Sequence, residues 1–221
     1  MVSLPSIRTQ LLASSHTFVQ AVFDLAGRLV PADAQRGTTG SKDFNDPIWK
    51  VIALDGAELD ICELPLMQRM RRVRQLGLGY LVFPSVQHSR FEHSLGAVYA
   101  ATRMFDQLAR GAKNARETEL EGLFRTVRLA ALMHDCGHPV FSHVGERVLG
   151  HLYAAEFRAI AAQLNALFPD PLMDSLQIGQ QTSPKEPAAA EVMAALFLLS
   201  EPMERLLSDC VPITGVPWPQ A

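Results

Sequence analysis

The side chains best suited to chemistry lie in two histidine-containing segments about forty residues apart. The first covers residues 90–96 and contains His93, and the second covers residues 132–143 and contains the dipeptide His134-Asp135. Two imidazole nitrogens and one carboxylate oxygen form a ligand set for divalent iron, manganese or zinc, or for magnesium when water completes the shell. Four of the seven histidines lie in these two segments, a concentration that hydrophobic packing alone does not explain.

Helical periodicity indicates how the chain positions these residues. A predicted helix from about residue 90 to 108 is apolar on two faces, which is typical of a buried helix, so His93 is expected to point inward. A second predicted helix covers about residues 117–135, and His134 falls on its apolar stripe. The sequence therefore predicts His134 and Asp135 at the inner end of a core helix.

The remaining pattern predicts a mainly α fold with one short β-hairpin near residues 49–62. The segment Trp49–Leu54 is strand-like, and Asp55-Gly56 is a frequent hairpin turn. Beyond Pro65 the pattern is helical. The stretch of residues 31–45, with its glycines and threonines, is typical of a linker or loop.

The composition is that of one domain in a reducing compartment. The chain has 221 residues, of which 48% are hydrophobic and 19% charged, and a net charge of −3. This charge gives no overall attraction to nucleic acid or anionic lipid, so it does not indicate a nucleic-acid partner. Three scattered cysteines are too few for a disulfide framework, which favours the cytoplasm. No apolar run approaches eighteen residues, so no membrane span is expected.

The ordered set of motifs resembles the HD-domain metal-dependent phosphohydrolases, and most closely their deoxynucleoside-triphosphate triphosphohydrolase branch. The resemblance covers roughly residues 45–150, about half of the chain. It rests on the two histidine segments and on three further motifs: Gln68-Arg69, Arg74-Gln75-Leu76-Gly77 and Tyr80-Leu81-Val82-Phe83-Pro84. It implies an N-terminal segment and linker over residues 1–44 and an HD-type helical bundle over residues 45–221.

The resemblance implies a metal site that this sequence completes only in part. His93, His134 and Asp135 would be three of the four ligands of a divalent iron, manganese, zinc or magnesium ion. The family's fourth ligand is a downstream aspartate, and its sequence context is missing around the late aspartates Asp170, Asp174 and Asp209. Lys185 also stands where many relatives have a histidine. These departures predict a divergent member or one that is incomplete at its C-terminal end.

The resemblance also implies catalytic residues beside the metal. His138 would contact phosphate and His143 would donate a proton, with Glu146 as the carboxylate partner that raises the pKa of a histidine. The alternative for His138 is that it merely caps the preceding helix, where a cation near the last carbonyls is favourable.

Three residues match family positions that contact the sugar and phosphates of a nucleotide: Gln75, Leu76 and Arg90. Arginine suits this role because its planar guanidinium binds phosphate oxygens bidentately. The alternative for Arg90 is a surface ion pair with Glu92 or another nearby acid.

A cluster of arginines precedes the first histidine segment. In some family members, residues matching Arg69 and Arg71 line a nucleotide effector site between subunits, and a homo-oligomer is accordingly expected. Together with Arg72 and Arg74, they would otherwise form a solvated helix face or touch a phosphate backbone.

Three functions are consistent with these patterns. The first is a metal-dependent hydrolase that converts a deoxynucleoside triphosphate to deoxynucleoside and triphosphate. The second is a phosphodiesterase or phosphatase for another phosphorylated substrate. The third is a catalytically impaired module or fragment that binds nucleotide or metal.

Overall fold

The computed structural model describes residues 3–14, 16–34, 37–111, 117–167 and 189–210. Within these ranges the chain forms two β-strands, β1 (Ser41–Asp46) and β2 (Lys50–Asp55), and ten α-helices. The helices are α1 (Leu4–Ser14), α2 (His16–Leu29), α3 (Gly56–Cys62), α4 (Pro65–Gln68), α5 (Arg90–Gly111), α6 (Glu117–Met133), α7 (His143–Leu152), α8 (Ala154–Leu167), α9 (Ala189–Leu199) and α10 (Glu201–Cys210). Two short 3-10 helices cover Arg69–Arg72 and Gly79–Leu81. The predicted mainly α fold with one short hairpin is confirmed.

The hairpin lies earlier in the chain than the sequence predicts. Strands β1 and β2 pair antiparallel with Ser41 opposite Asp55, so part of the expected linker is a strand. The turn follows Asp46, whose Oδ1 accepts hydrogen bonds from two backbone N–H groups at 2.8 Å. Asp55 does not begin a hairpin turn, because it caps α3. Its carboxylate accepts a hydrogen bond from the backbone N–H of Glu58, and its own backbone N–H donates to the Glu58 carboxylate.

One buried core joins the N-terminal helices to the rest of the chain. Apolar residues of α1 and α2, among them Leu11 and Val19, belong to the same buried cluster as Phe91 of α5 and Phe157 of α8. Helices α1 and α2 thus contribute to the core, whereas the resemblance implies only an N-terminal segment for this part of the chain. No helix of the described ranges is both long and apolar enough to cross a membrane.

Helices α5 and α6 form the antiparallel pair that carries the histidine segments. His93 near the start of α5 meets His134 just after α6, while Phe105 farther along α5 packs on Phe124 of α6 with ring centroids 5.2 Å apart. The pairing runs in opposite directions because the later residue of α5 meets the earlier residue of α6. It therefore brings the two distant histidine segments to one end of the pair.

Arg128 fixes this pair against the hairpin and α3. Its guanidinium makes two bonds to the carboxylate of Glu58, at 2.5 and 2.6 Å, and further bonds to Thr102 and to the carbonyl of Ala53. Glu58 is only 3% exposed, so its charge depends on this partner.

We predict that Arg128→Met lowers the free energy of unfolding by about 3–5 kcal/mol, because it leaves the buried Glu58 carboxylate without its counter-charge. The matched control is Arg125→Met on the same helix, whose pair with Glu121 is exposed and is expected to contribute about 0–1 kcal/mol. Urea unfolding followed by circular dichroism measures both, and equal losses would contradict the assignment.

Candidate active site

Three predicted metal ligands meet where α5 begins and α6 ends. The Nε2 atoms of His93 and His134 lie 3.2 Å apart. Asp135 places Oδ1 3.5 Å from His134 Nε2 and Oδ2 3.8 Å from His93 Nε2. Ligand atoms that share one ion at about 2.1 Å from it lie roughly 3–4 Å apart, so these atoms fit a common ion. The predicted convergence of the three residues is present in the structure.

The protonation states of the three residues suit metal binding. His134 Nδ1 lies 2.8 Å from the carbonyl oxygen of Ala131, which can only accept, so Nδ1 donates to it and Nε2 is the nitrogen that faces His93 and Asp135. Burial raises the pKa of Asp135, but His134 and the Arg90 guanidinium outweigh it and hold that pKa below its ordinary value. Burial lowers the pKa of His93, which favours its neutral form. Neutral imidazoles and an ionised carboxylate are the forms that bind metals.

The side chains of His93 and His134 are exposed to solvent and do not point into the core. The side chain of His93 is 42% exposed and that of His134 is 39% exposed, whereas Asp135 is 10% exposed. The expected inward orientation of the histidines is therefore wrong, because both lie at the end of the helix pair and not along its buried seam. An ion held here would be reachable by a substrate.

Arg90 lies behind this cluster and is 1% exposed. Its Nη1 donates to Asp135 Oδ2 at 2.6 Å, and Nε and Nη2 donate to Ser142 Oγ at 2.9 and 2.5 Å. The alternative of a surface ion pair is wrong: Glu92 instead accepts from the backbone and hydroxyl of Ser89, and the acid that Arg90 binds is the buried Asp135. A phosphate contact by Arg90 stays a prediction.

A second cluster lies beside the first and joins the remaining catalytic candidates. His143 Nδ1 is 3.0 Å from Glu146 Oε2, and His138 Nδ1 is 3.9 Å from the same oxygen. The two imidazoles pack edge to face with centroids 5.3 Å apart. His138 Nε2 also lies 3.4 Å from Asp135 Oδ1, so His138 borders both clusters.

His138 does not cap the helix that precedes it. Burial, and then the nearby Arg90 charge, lower the pKa of His138 to about 4, so it is neutral near pH 7. The cation at this helix end is Arg69, which donates to the carbonyl of His138 at 2.7 Å and to that of Cys136. Arg69 is therefore half-buried against this loop and not part of a solvated helix face, whereas Arg71 is exposed and lies over the Phe91 ring at 3.7 Å.

The loop from residue 134 to 143 is held by close backbone contacts. Phe141 and Ser142 adopt positive φ angles of 65° and 54°. Gly77, at φ 54°, passes so near that a Cβ there would lie 2.8 Å from the Phe141 carbonyl. On the other side, a side chain at Gly137 would collide with the backbone of α9, so only glycine allows that helix to pack on the loop.

The predicted substrate residues lie next to this loop. The backbone carbonyl of Gln75 accepts from Ser142 Oγ at 3.0 Å, and Leu76 is 50% exposed. The structure thus brings the Gln75 region and Arg90 together, and their contacts to a nucleotide stay predictions. Asp170, Asp174 and Lys185 lie outside the described residues, as does the side chain of Asp209.

Sequence reasoning missed two residues of this site. Ser142 binds both Arg90 and Gln75, and Arg69 holds the loop carbonyls. Ser142 directly precedes His143 within the second histidine segment. This position is the one feature of the sequence that indicates a role for Ser142 in the site. The resemblance indicates Arg69 as part of the Gln68-Arg69 motif and as an effector-site residue, but nothing in the sequence indicates that it binds the carbonyls of this loop.

A family model for the HD domain matches residues 90–194, which include both clusters. The chain is similar to an uncharacterised protein of Methanocaldococcus jannaschii, 44% identical over 105 residues, which are 48% of this chain and 21% of that protein. It is also similar to the deoxynucleoside triphosphate triphosphohydrolase SAMHD1 of Bos taurus and of Homo sapiens, 42% identical over 103 residues in each case.

The resemblance to HD-domain triphosphohydrolases that the motifs predict is thereby confirmed. The match covers 47% of this chain but only 17% of the bovine protein and 16% of the human one. The chain thus matches about a sixth to a fifth of the length of these relatives.

We predict that Arg90→Met weakens Mn²⁺ affinity about 10–100-fold, since it removes the bond that orients Asp135. Arg103→Met, at an exposed position of the same helix, is the control and should bind Mn²⁺ as the wild type does. Isothermal titration calorimetry measures both. Unchanged Mn²⁺ affinity together with lost nucleotide affinity would instead assign Arg90 to the phosphates.

Proposed function

We propose that this protein is a metal-dependent phosphohydrolase acting on a nucleotide, and that its reaction converts a deoxynucleoside triphosphate to deoxynucleoside and triphosphate. The observation that carries the proposal is the adjacency of two clusters, one with metal-ligand geometry and one with a histidine–carboxylate pair. The similarity to proteins named deoxynucleoside triphosphate triphosphohydrolase supports the choice of substrate.

The metal would be held by His93, His134 and Asp135, whose two nitrogens and one oxygen suit divalent iron, manganese or zinc. When bound, such an ion supplies polarisation of a phosphoryl oxygen and a lower pKa for an attacking water. Asp135 keeps one oxygen on Arg90 and turns the other toward His134, so its orientation is fixed before an ion arrives. Because Asp135 is already oriented, binding an ion does not require the loss of side-chain conformational entropy that a mobile carboxylate would undergo.

The second cluster provides the groups for proton transfer. His143 is 58% exposed and hydrogen-bonded through Nδ1 to Glu146, so a substrate can reach the imidazole while the carboxylate orients it. A protonated His143 would donate to the leaving oxygen, and Glu146 would stabilise the imidazolium form. The buried, neutral His138 lies between this pair and Asp135, where it would contact a phosphate oxygen.

A homo-oligomer in the cytoplasm completes the proposal. Several large apolar side chains are exposed, among them Phe83 at 61%, Phe141 at 59% and Val148 at 53%. Exposed apolar surface of this kind is frequent where a partner surface binds. The buried free thiols of Cys62 and Cys136 are consistent with a reducing compartment.

We predict slow, Mn²⁺-dependent release of triphosphate from deoxynucleoside triphosphates, slow because the family's downstream aspartate context is missing. His134→Ala should abolish it, and His143→Ala should lower the rate roughly 10²–10⁴-fold through loss of the proton donor. His151→Ala, an exposed position of α7, should leave the rate unchanged.

Chromatography of the products separates the three functions. Inorganic triphosphate with free nucleoside supports the proposal, whereas a monophosphate or an opened diester would favour the phosphodiesterase or phosphatase. Nucleotide binding without any metal-dependent product would favour the binding module.

A further inference from the structure

The second cluster has the composition of a cation site in its own right. Glu146 Oε2 lies 3.0 Å from His143 Nδ1 and 3.9 Å from His138 Nδ1. One ligand atom from each of the three residues lies within 4.8 Å of those of the other two. Two nitrogens and one carboxylate oxygen are a ligand set that zinc accepts with an open position.

A buried atom in this cluster lacks a partner. The side chain of His138 is 10% exposed, and within the described part of the chain its Nδ1 has no hydrogen-bond partner. An unsatisfied buried polar atom destabilises a fold by about 1–3 kcal/mol, so a ligand at this atom would be favoured. Nδ1 is the His138 nitrogen that faces Glu146, whereas Nε2 faces Asp135.

The carboxylate is also held in place from outside the cluster. Glu146 Oε1 accepts from the backbone N–H of Ala190 in α9 at 3.3 Å, which leaves Oε2 turned toward the two histidines. An outer partner that fixes a carboxylate in this way is typical of metal sites. His143 is exposed enough for an ion to enter from solvent.

We infer that His138, His143 and Glu146 bind a second divalent cation, with zinc as the best match, and that this ion inhibits the protein. The inhibition rests on the proposed function: an ion on His143 Nδ1 and Glu146 Oε2 replaces the proton between these two atoms, so the imidazole can no longer form the imidazolium that would donate its Nε2 proton to the leaving oxygen. Metal should then activate at low concentration, through His93, His134 and Asp135, and inhibit at higher concentration through the second site.

Equilibrium dialysis of the purified protein against Zn²⁺ alone, with metal analysis, tests the site without reference to activity. We expect two ions per chain in the wild type and one in each of His134→Ala, His143→Ala and Glu146→Gln. The double variant His134→Ala/His143→Ala should bind none, and the control His151→Ala should bind two. Because His143 is exposed, its substitution is expected to leave the fold intact, and circular dichroism checks this for every variant.

One ion in the wild type, or two ions retained in both His143→Ala and Glu146→Gln, would overturn the second site. The proposed function fails separately, if the wild type binds two ions and yet releases no product at any Mn²⁺ or Zn²⁺ concentration. Zn²⁺ inhibition that persists unchanged in the residual activity of His143→Ala would overturn the inhibitory role while leaving the binding site in place.

Discussion

The guanidinium of Arg90 is buried and must find all of its hydrogen-bond partners inside the protein, since a charge removed from water is stable only when it is paired and bonded. Those partners come from separate parts of the chain: the carboxylate of Asp135, the hydroxyl of Ser142, the backbone carbonyl of Gln75 and, at 3.4 Å, Nε2 of His143. Arg90, at the start of α5, thereby holds three parts of the chain together. Asp135 follows α6, Ser142 directly precedes α7, and Gln75 lies in the connection that leads to α5. The placement of Asp135 beside its neighbouring histidines depends on this network.

The loop that carries the histidines is constrained from two further sides. Arg69 binds its carbonyls, and Gly137 allows α9 to pack directly against its backbone. These contacts explain why two clusters with different chemistry lie next to each other, with His138 between them. They also connect α9 to the second cluster, because the first turn of that helix holds Glu146. A rigid loop is what a metal site requires, since its ligands must keep their geometry in the absence of the ion.

Much of this arrangement follows from the sequence because it depends on local pattern. Apolar periodicity predicts α5 and α6 to within about three residues of their ends, and motif spacing predicts which histidines converge. The hairpin was misplaced because β1 is short and polar, Ser-Lys-Asp-Phe-Asn-Asp, and carries no strand signal of its own. The partners of Arg90 were missed because a buried pair across 45 residues is a tertiary contact that no local pattern encodes. The exposure of His93 likewise depends on where the helix pair ends.

We propose that Arg90 holds Asp135 in position for a metal ion shared with His93 and His134. An anomalous difference map from a crystal grown with one equivalent of Mn²⁺ tests this most directly. We expect a single strong peak bonded to Nε2 of both histidines and to Asp135, with the guanidinium of Arg90 still on the other carboxylate oxygen. A peak away from these three residues, or an Arg90 side chain turned out of the interior and away from Asp135, would contradict it.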